Sequence, residues 1–229
     1  MAEREGFEPS MTLLPYRFSK PARSTTLPPL QGDFSLNTVY HTTTIPPCYT
    51  LTMNIVVGGP MFSGKTTWLI EYTKKLQDNS YVIYKPNLDT RYATNAIVTH
   101  HGQSLPATNI NYLNPQIPKL GRSIKTILFD ELNFFSFNTL FSEIQRQNKL
   151  GRDIVGVGLL FDSKKNPFGA TLPLSKYVHA FIELFSICDG CGKKANHSYR
   201  KIQLKKQIAI GASEIYGACC EKCWADLQR

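Results

Sequence analysis

The octet Gly59-Pro60-Met61-Phe62-Ser63-Gly64-Lys65-Thr66 constrains this chain more than any other feature. It fits G-x-x-x-x-G-K-[ST], a loop whose backbone N–H groups wrap phosphate oxygens. Its glycines let the backbone approach an anion without a Cβ in the way. Ile55–Gly58 before it reads as a short buried strand. Residues 66–77 after it read as a helix, with Trp68, Leu69, Tyr72 and Leu76 on one face. The positive N-terminal end of that helix points at the same anion. In such a loop Lys65 reaches the β and γ phosphates, and Thr66 ligates Mg²⁺.

The rest of the chain repeats the strand–helix alternation. Strands are expected at 81–84, 126–129, 153–159 and 178–185, and a second helix at 136–149. Residues 85–106 read as a long polar loop with one apolar patch. Strands alternating with helices imply an α/β fold, a parallel sheet covered by helices on both faces. The phosphate-loop domain is expected over 53–186, with a small zinc-binding subdomain over 187–229.

Ile127-Leu128-Phe129-Asp130-Glu131 is an apolar strand ending in two carboxylates. Ligands of open α/β sheets sit at the carboxyl ends of strands. Asp130 is therefore expected beside Thr66 on the Mg²⁺ side of the phosphates. Glu131 is the candidate general base for an attacking hydroxyl. Such a pair is elsewhere often a mere loop start, but the phosphate loop gives it a partner.

Five of the six cysteines fall in the last 42 residues, which is unlike a disulfide framework. Cys188-x-x-Cys191 and Cys220-x-x-Cys223 form two knuckles with 28 residues between them. Four thiolates in this arrangement make a closed, structural Zn²⁺ site. Cys219 is the competing neighbour, but Cys220 has the two-residue spacing to Cys223.

The net charge is +9. Residues 1–52 hold four Lys/Arg and four Asp/Glu, so the excess lies wholly in 53–229. A basic domain favours anionic partners. Residues 1–52 also contain seven of the 14 prolines and show no periodic apolar pattern. They are expected to be a disordered leader. Met53 reads as the start of the protein proper, with the leader an artefact of a misassigned start. No apolar run approaches the ~18–20 residues of a membrane helix, and no signal segment stands near the N-terminus. A cytoplasmic protein with neither membrane nor nucleic-acid partners is expected.

Together these motifs resemble the cellular-type (type II) thymidine kinase family, from about Met53 to Trp224. Gly59–Thr66 is similar to its own phosphate loop. Asp89-Thr90-Arg91-Tyr92 resembles its Asp-Thr-Arg-Tyr segment, and Asp130-Glu131-Leu132-Asn133-Phe134 its Asp-Glu-x-Gln-Phe. Gly158-Leu159, Asp162 and Pro167-Phe168-Gly169 are similar to its substrate-loop pattern. Ile210-Gly211, Tyr216 and the second knuckle resemble its lasso. The resemblance implies phosphoryl transfer from ATP to thymidine. It implies catalytic roles for Glu131, Arg91 and Lys65. ATP would be held by Gly59, Pro60, Met61, Phe62, Ser63, Gly64, Lys65, Thr66, Asp130, Glu131, Leu132 and Asn133. Mg²⁺ would sit on Thr66 and Asp130. Met61, Phe134, Leu159, Phe168, Ser198 and Tyr216 would hold thymidine, with the lasso as a lid. It also implies a homotetramer inhibited by thymidine triphosphate.

Four positions depart from the family pattern. Asn133 stands for the usual Gln, Ser163 for an expected Phe, Trp68 for a common acidic residue and Ser198 for a common Thr. None removes a catalytic group. The first two bear on base affinity and selectivity. A nucleic-acid-dependent phosphate-loop ATPase with a zinc ribbon is the alternative, and it predicts helicase-like motifs that the chain lacks. A non-catalytic nucleotide-binding module is disfavoured by intact Lys65, Asp130 and Glu131.

Overall fold

A computed structural model describes residues 38–42 (backbone only), 52–88, 95–99, 101–202 and 215–227. Every described residue belongs to the unit Gly32–Arg229. Its centre is a seven-stranded sheet. In chain order the strands are β1 (Thr38–Thr42), β2 (Asn54–Gly58), β3 (Tyr81–Pro86), β6 (Thr108–Ile110), β7 (Thr126–Phe129), β8 (Asp153–Gly158) and β9 (Ala180–Leu184). The spatial order is β1-β9-β2-β8-β7-β3-β6. All neighbours run parallel except β1, which is antiparallel to β9. Between β3 and β6 lies a small hairpin, β4 (Ala96–Val98) with β5 (Ser104–Pro106).

Alternation along the strands builds two cores. Ile55, Val57, Leu128, Val155 and Val157 face one side, where α1 (Lys65–Thr73) lays down Trp68, Leu69 and Ile70. Val56, Ile127, Phe129 and Ile154 face the other, against Leu140 and Ile144 of α2 (Phe137–Lys149) and Leu174 of the short α3 (Thr171–Leu174). Burial on both faces is what strands of a parallel sheet require. The expected parallel sheet flanked by helices is present.

Two regions differ from the sequence expectations. The leader read as disordered contributes β1, registered Thr38 to Leu184 through Thr42 to Ala180. Thr-Val-Tyr-His-Thr is rich in β-branched and aromatic residues, and β9 otherwise offers an unpaired edge. The 85–106 segment read as a loop begins inside β3 and contains β4 and β5, with β6 just beyond. Three-residue strands are too short to show a period of two. Helix α1 also ends earlier than expected, at Thr73, whose hydroxyl donates to the Ile70 carbonyl at 2.7 Å.

The C-terminal part adds short antiparallel pairs. β10 (Ser186–Ile187) pairs with β11 (Lys194–Ala195), and β12 (His197–Arg200) with β13 (Tyr216–Cys219). Helix α4 (Glu221–Leu227) follows. Cys188, Ala195, Ala218 and Cys219 form a separate small core here. No described helix is long and apolar enough to cross a membrane.

Candidate active site and cysteine cluster

The phosphate loop springs from the carboxyl end of β2. Phe62 (φ 62°) and Gly64 (φ 80°) both take the left-handed conformation, which curls the backbone into an anion-binding concavity. Ser63 Oγ donates to the Pro60 carbonyl at 2.9 Å, and Lys65 Nζ reaches the same carbonyl at 2.5 Å. The lysine ammonium therefore lies across its own loop. The Trp68 N–H bonds the Gly64 carbonyl at 2.8 Å and starts the helix.

Strand β7 delivers the Asp130 carboxylate to this loop. The Thr66 hydroxyl lies 3.4 Å from Asp130 Oδ2 and 3.5 Å from Oδ1. Asp130 is 7% exposed, and its Oδ1 accepts the Glu131 N–H at 2.9 Å. A hydroxyl and a buried carboxylate side by side suit a hard cation such as Mg²⁺. Glu131 itself has φ 54°, ψ 48°, the left-handed region, although it carries a side chain. That conformation costs about 1–3 kcal/mol and concentrates at functional sites. A 3-10 turn, Leu132–Phe134, follows it directly.

The residues expected around the nucleoside fall in two groups. The Met61 N–H donates to Ser198 Oγ at 2.9 Å, joining the phosphate loop to β12. Phe134 and Phe168 meet edge to face with centroids 5.6 Å apart. Leu159 joins this second group through its N–H, which donates to Asn133 Oδ1 at 2.9 Å. Tyr216 lies opposite Arg200 in the β12–β13 register, with the guanidinium 5.7 Å from its ring centroid. Leu132 and Asn133, each 1% exposed, keep their side chains inside the fold. Arg91 and the lasso residues Ile210 and Gly211 lie outside the described residues.

The four expected cysteines meet. The sulfurs of Cys188, Cys191, Cys220 and Cys223 all lie within 4.8 Å of one another, with Cys191 and Cys220 3.6 Å apart. A tetrahedral Zn²⁺ with bonds of about 2.3 Å needs sulfurs ~3.8 Å apart, so the cluster fits that ion. Burial pushes the Cys188 thiol up, but N–H groups of Cys220, Gly190 and Cys191 outweigh it and bring it down to about 6. Cys219 is outside the cluster and buried. Burial, then the neighbouring Cys188 and Cys220 charges, push its thiol up to about 12.

Sequence reasoning missed the contacts that dock this module. Lys165 pairs with Glu221 and lies 4.0 Å from the Trp224 ring centroid. Glu221 also meets His197 Nε2 at 2.5 Å, and Trp224 Nε1 donates to the Ser163 carbonyl at 3.4 Å. Ser186 Oγ donates to the Phe62 carbonyl at 3.3 Å. Lys85, 2% exposed, donates to the Ala96 carbonyl at 3.2 Å and braces the β4–β5 hairpin. Local sequence carries no sign of these pairs, because their partners are distant.

Comparison with known proteins agrees with the geometry. The thymidine kinase family model matches residues 52–224. A thymidine kinase of Pseudothermotoga lettingae is 30% identical, over 74% of this chain and 92% of its own. That of Ureaplasma urealyticum is 34% identical, over 72% of this chain and 79% of its own. That of Bacteroides thetaiotaomicron is 32% identical, over 74% and 85%. With its phosphate loop, strand-end carboxylates and cysteine knuckles in the same 173-residue match, the chain belongs to the thymidine kinase family.

Proposed function

We propose that the protein transfers the γ-phosphoryl group of ATP to the 5′-hydroxyl of thymidine, giving ADP and thymidine 5′-monophosphate. The observation that carries this reading is the meeting of Thr66, Asp130 and Glu131 at the mouth of the phosphate loop. The loop amides and Lys65 hold the β and γ phosphates. Thr66 and Asp130 hold Mg²⁺, which neutralises phosphate charge when bound. Glu131 accepts the proton of the attacking 5′-hydroxyl. Its rigid turn fixes where that carboxylate stands. Arg91 steadies the phosphates during transfer.

Met61, Phe134, Leu159, Phe168, Ser198 and Tyr216 hold the nucleoside. Zn²⁺ is held by Cys188, Cys191, Cys220 and Cys223 as a structural ion. The family resemblance further supports a cytoplasmic homotetramer inhibited by thymidine triphosphate. Light scattering and inhibition kinetics test those two properties.

The deciding assay measures phosphate transfer from ATP to thymidine beside ATP hydrolysis with and without DNA. Thymidine monophosphate formation, with hydrolysis indifferent to DNA, is expected. DNA-stimulated hydrolysis without transfer would replace this reading with the nucleic-acid-dependent ATPase.

A further inference from the structure

Asn133 stands two residues after Glu131 and is gripped from both sides. Its Oδ1 accepts the Leu159 N–H at 2.9 Å. A Cβ on Gly158 would lie 3.0 Å from both the Asn133 nitrogen and its Oδ1. At the far end of the same loop, a Cβ on Gly169 would lie 1.9 Å from the Asn133 carbonyl oxygen. Gly169 also has φ +57°, so only glycine fits there without strain. Both roots of the 158–169 loop thus close on one residue of the catalytic turn.

The loop between those roots is internally braced. Phe161 bridges Pro167, and the Phe168 N–H donates to the Leu160 carbonyl at 3.1 Å. Asp162 Oδ1 accepts the N–H groups of Lys164 at 2.8 Å and Asn166 at 2.9 Å. A braced loop moves as a unit, so its placement is decided at its roots. It carries Leu159 and Phe168, and Phe168 meets Phe134 of the catalytic turn.

We propose that Asn133 is a positioning residue for the nucleoside. It locks the 158–169 loop to the turn that holds Glu131, so that the base pocket and the general base keep one spacing. The inference rests on the thymidine kinase reading. It moves the Asn133 side chain from the ATP side, where the family resemblance puts it, to the nucleoside side. The acceptor Oδ1 does the work. Asn133 Nδ2 is buried and makes no hydrogen bond, as is also true of the neighbouring Thr171 Oγ1.

That asymmetry selects the test variants. Asn133→Ala removes the acceptor and leaves the Leu159 N–H unmatched. Asn133→Asp keeps an oxygen in the Oδ1 place and loses no bond at the Nδ2 place. Nearby Asp130 and Glu131 favour its protonated, neutral form. For Asn133→Ala the thymidine KM should rise ~10-fold, as expected for an unmatched part-buried donor at the loop root, with the ATP KM within about twofold. Asn133→Asp should restore most of the thymidine KM at unchanged ATP KM. In the wild-type protein the Leu159 amide should be protected from hydrogen exchange.

A thymidine KM for Asn133→Ala within about twofold of wild type overturns the proposal. A parallel rise in both KM values, unrescued by Asn133→Asp, also overturns it and leaves a plain folding role. If Asn133→Ala does not fold, Asn133→Asp and the wild-type exchange measurement decide. An Asn133→Asp thymidine KM far above wild type, or a freely exchanging Leu159 amide, counts against the lock. Failure of the wild-type protein to phosphorylate thymidine overturns the functional reading instead, and the exchange measurement still judges the lock.

Discussion

Met61 and Ser198 are 137 positions apart, yet the backbone N–H of one donates to the hydroxyl of the other at 2.9 Å. This bond fastens the phosphate loop to the strand beside the cysteine cluster. Ser198 is 5% exposed, so no bulk water replaces it if the hydroxyl is lost. Ser198→Ala should therefore cost about 1–3 kcal/mol of stability. Ser198→Thr keeps the hydroxyl and should retain most of that stability. Denaturant titration of both variants checks the pair; equal losses would show that the hydroxyl is not the cause.

Glu131 combines a left-handed backbone with partial burial, next to Asp130. Glu131→Gln should keep the backbone conformation and remove the proposed proton acceptor. Turnover should fall ~10²–10⁴-fold, the usual worth of a positioned base. ATP and thymidine binding by calorimetry should persist. Near-wild-type turnover would assign the base elsewhere.

The cysteine cluster gives a neighbour test. Cys220 lies in the sulfur cluster and Cys219 does not. Cys220→Ser should lose zinc, measured by elemental analysis of protein purified without added metal. Cys219→Ser should keep close to one zinc per chain, as the wild type should. Chelation should lower Tm strongly, because the small C-terminal core consists mostly of these knuckles and two alanines.

His179 predicts a pH effect on stability. Its Nδ1 accepts the Asn54 N–H at 3.0 Å, which only a neutral ring does. Burial lowers its pKa below 6.5, and Asp153 partly opposes this. A depressed histidine pKa means the unfolded chain takes up the proton first. The contribution is full above about pH 6.5 and is lost as pH falls through the lower folded-state value. Asp153 works the other way at more acid pH, since burial raises its carboxyl. His179→Gln, which keeps an acceptor, should flatten the stability profile between about pH 7 and pH 5. An unchanged profile would remove His179 as the cause.

Much of the chemistry was local, and so legible in the order of residues. A phosphate loop needs eight consecutive residues, a zinc knuckle four, and a buried strand a short apolar run. Gly59–Thr66, Cys188–Cys191, Cys220–Cys223 and Thr126–Phe129 are each defined within a few positions. The alternation of such units with amphipathic helices was sufficient to imply the parallel sheet.

Tertiary structure decided what depends on partners far along the chain. β1 is a strand because β9 leaves an edge for it, and nothing in Thr38–Thr42 names that partner. β4 and β5 are too short for periodicity and exist through their mutual pairing. Lys165 meets Glu221 and Trp224 across 56 and more residues, partners its own neighbourhood does not name. The choice of Cys220 over Cys219 follows from which sulfur the β13–α4 junction turns toward the first knuckle. Asn133 looked like a shortened glutamine, and only the tertiary structure shows both Gly158 and Gly169 packed closely against it. Motifs are written in neighbouring residues because covalent geometry sets their spacing. Contacts between motifs depend on how the sheet twists and where its loops return, which the packing of the whole core determines.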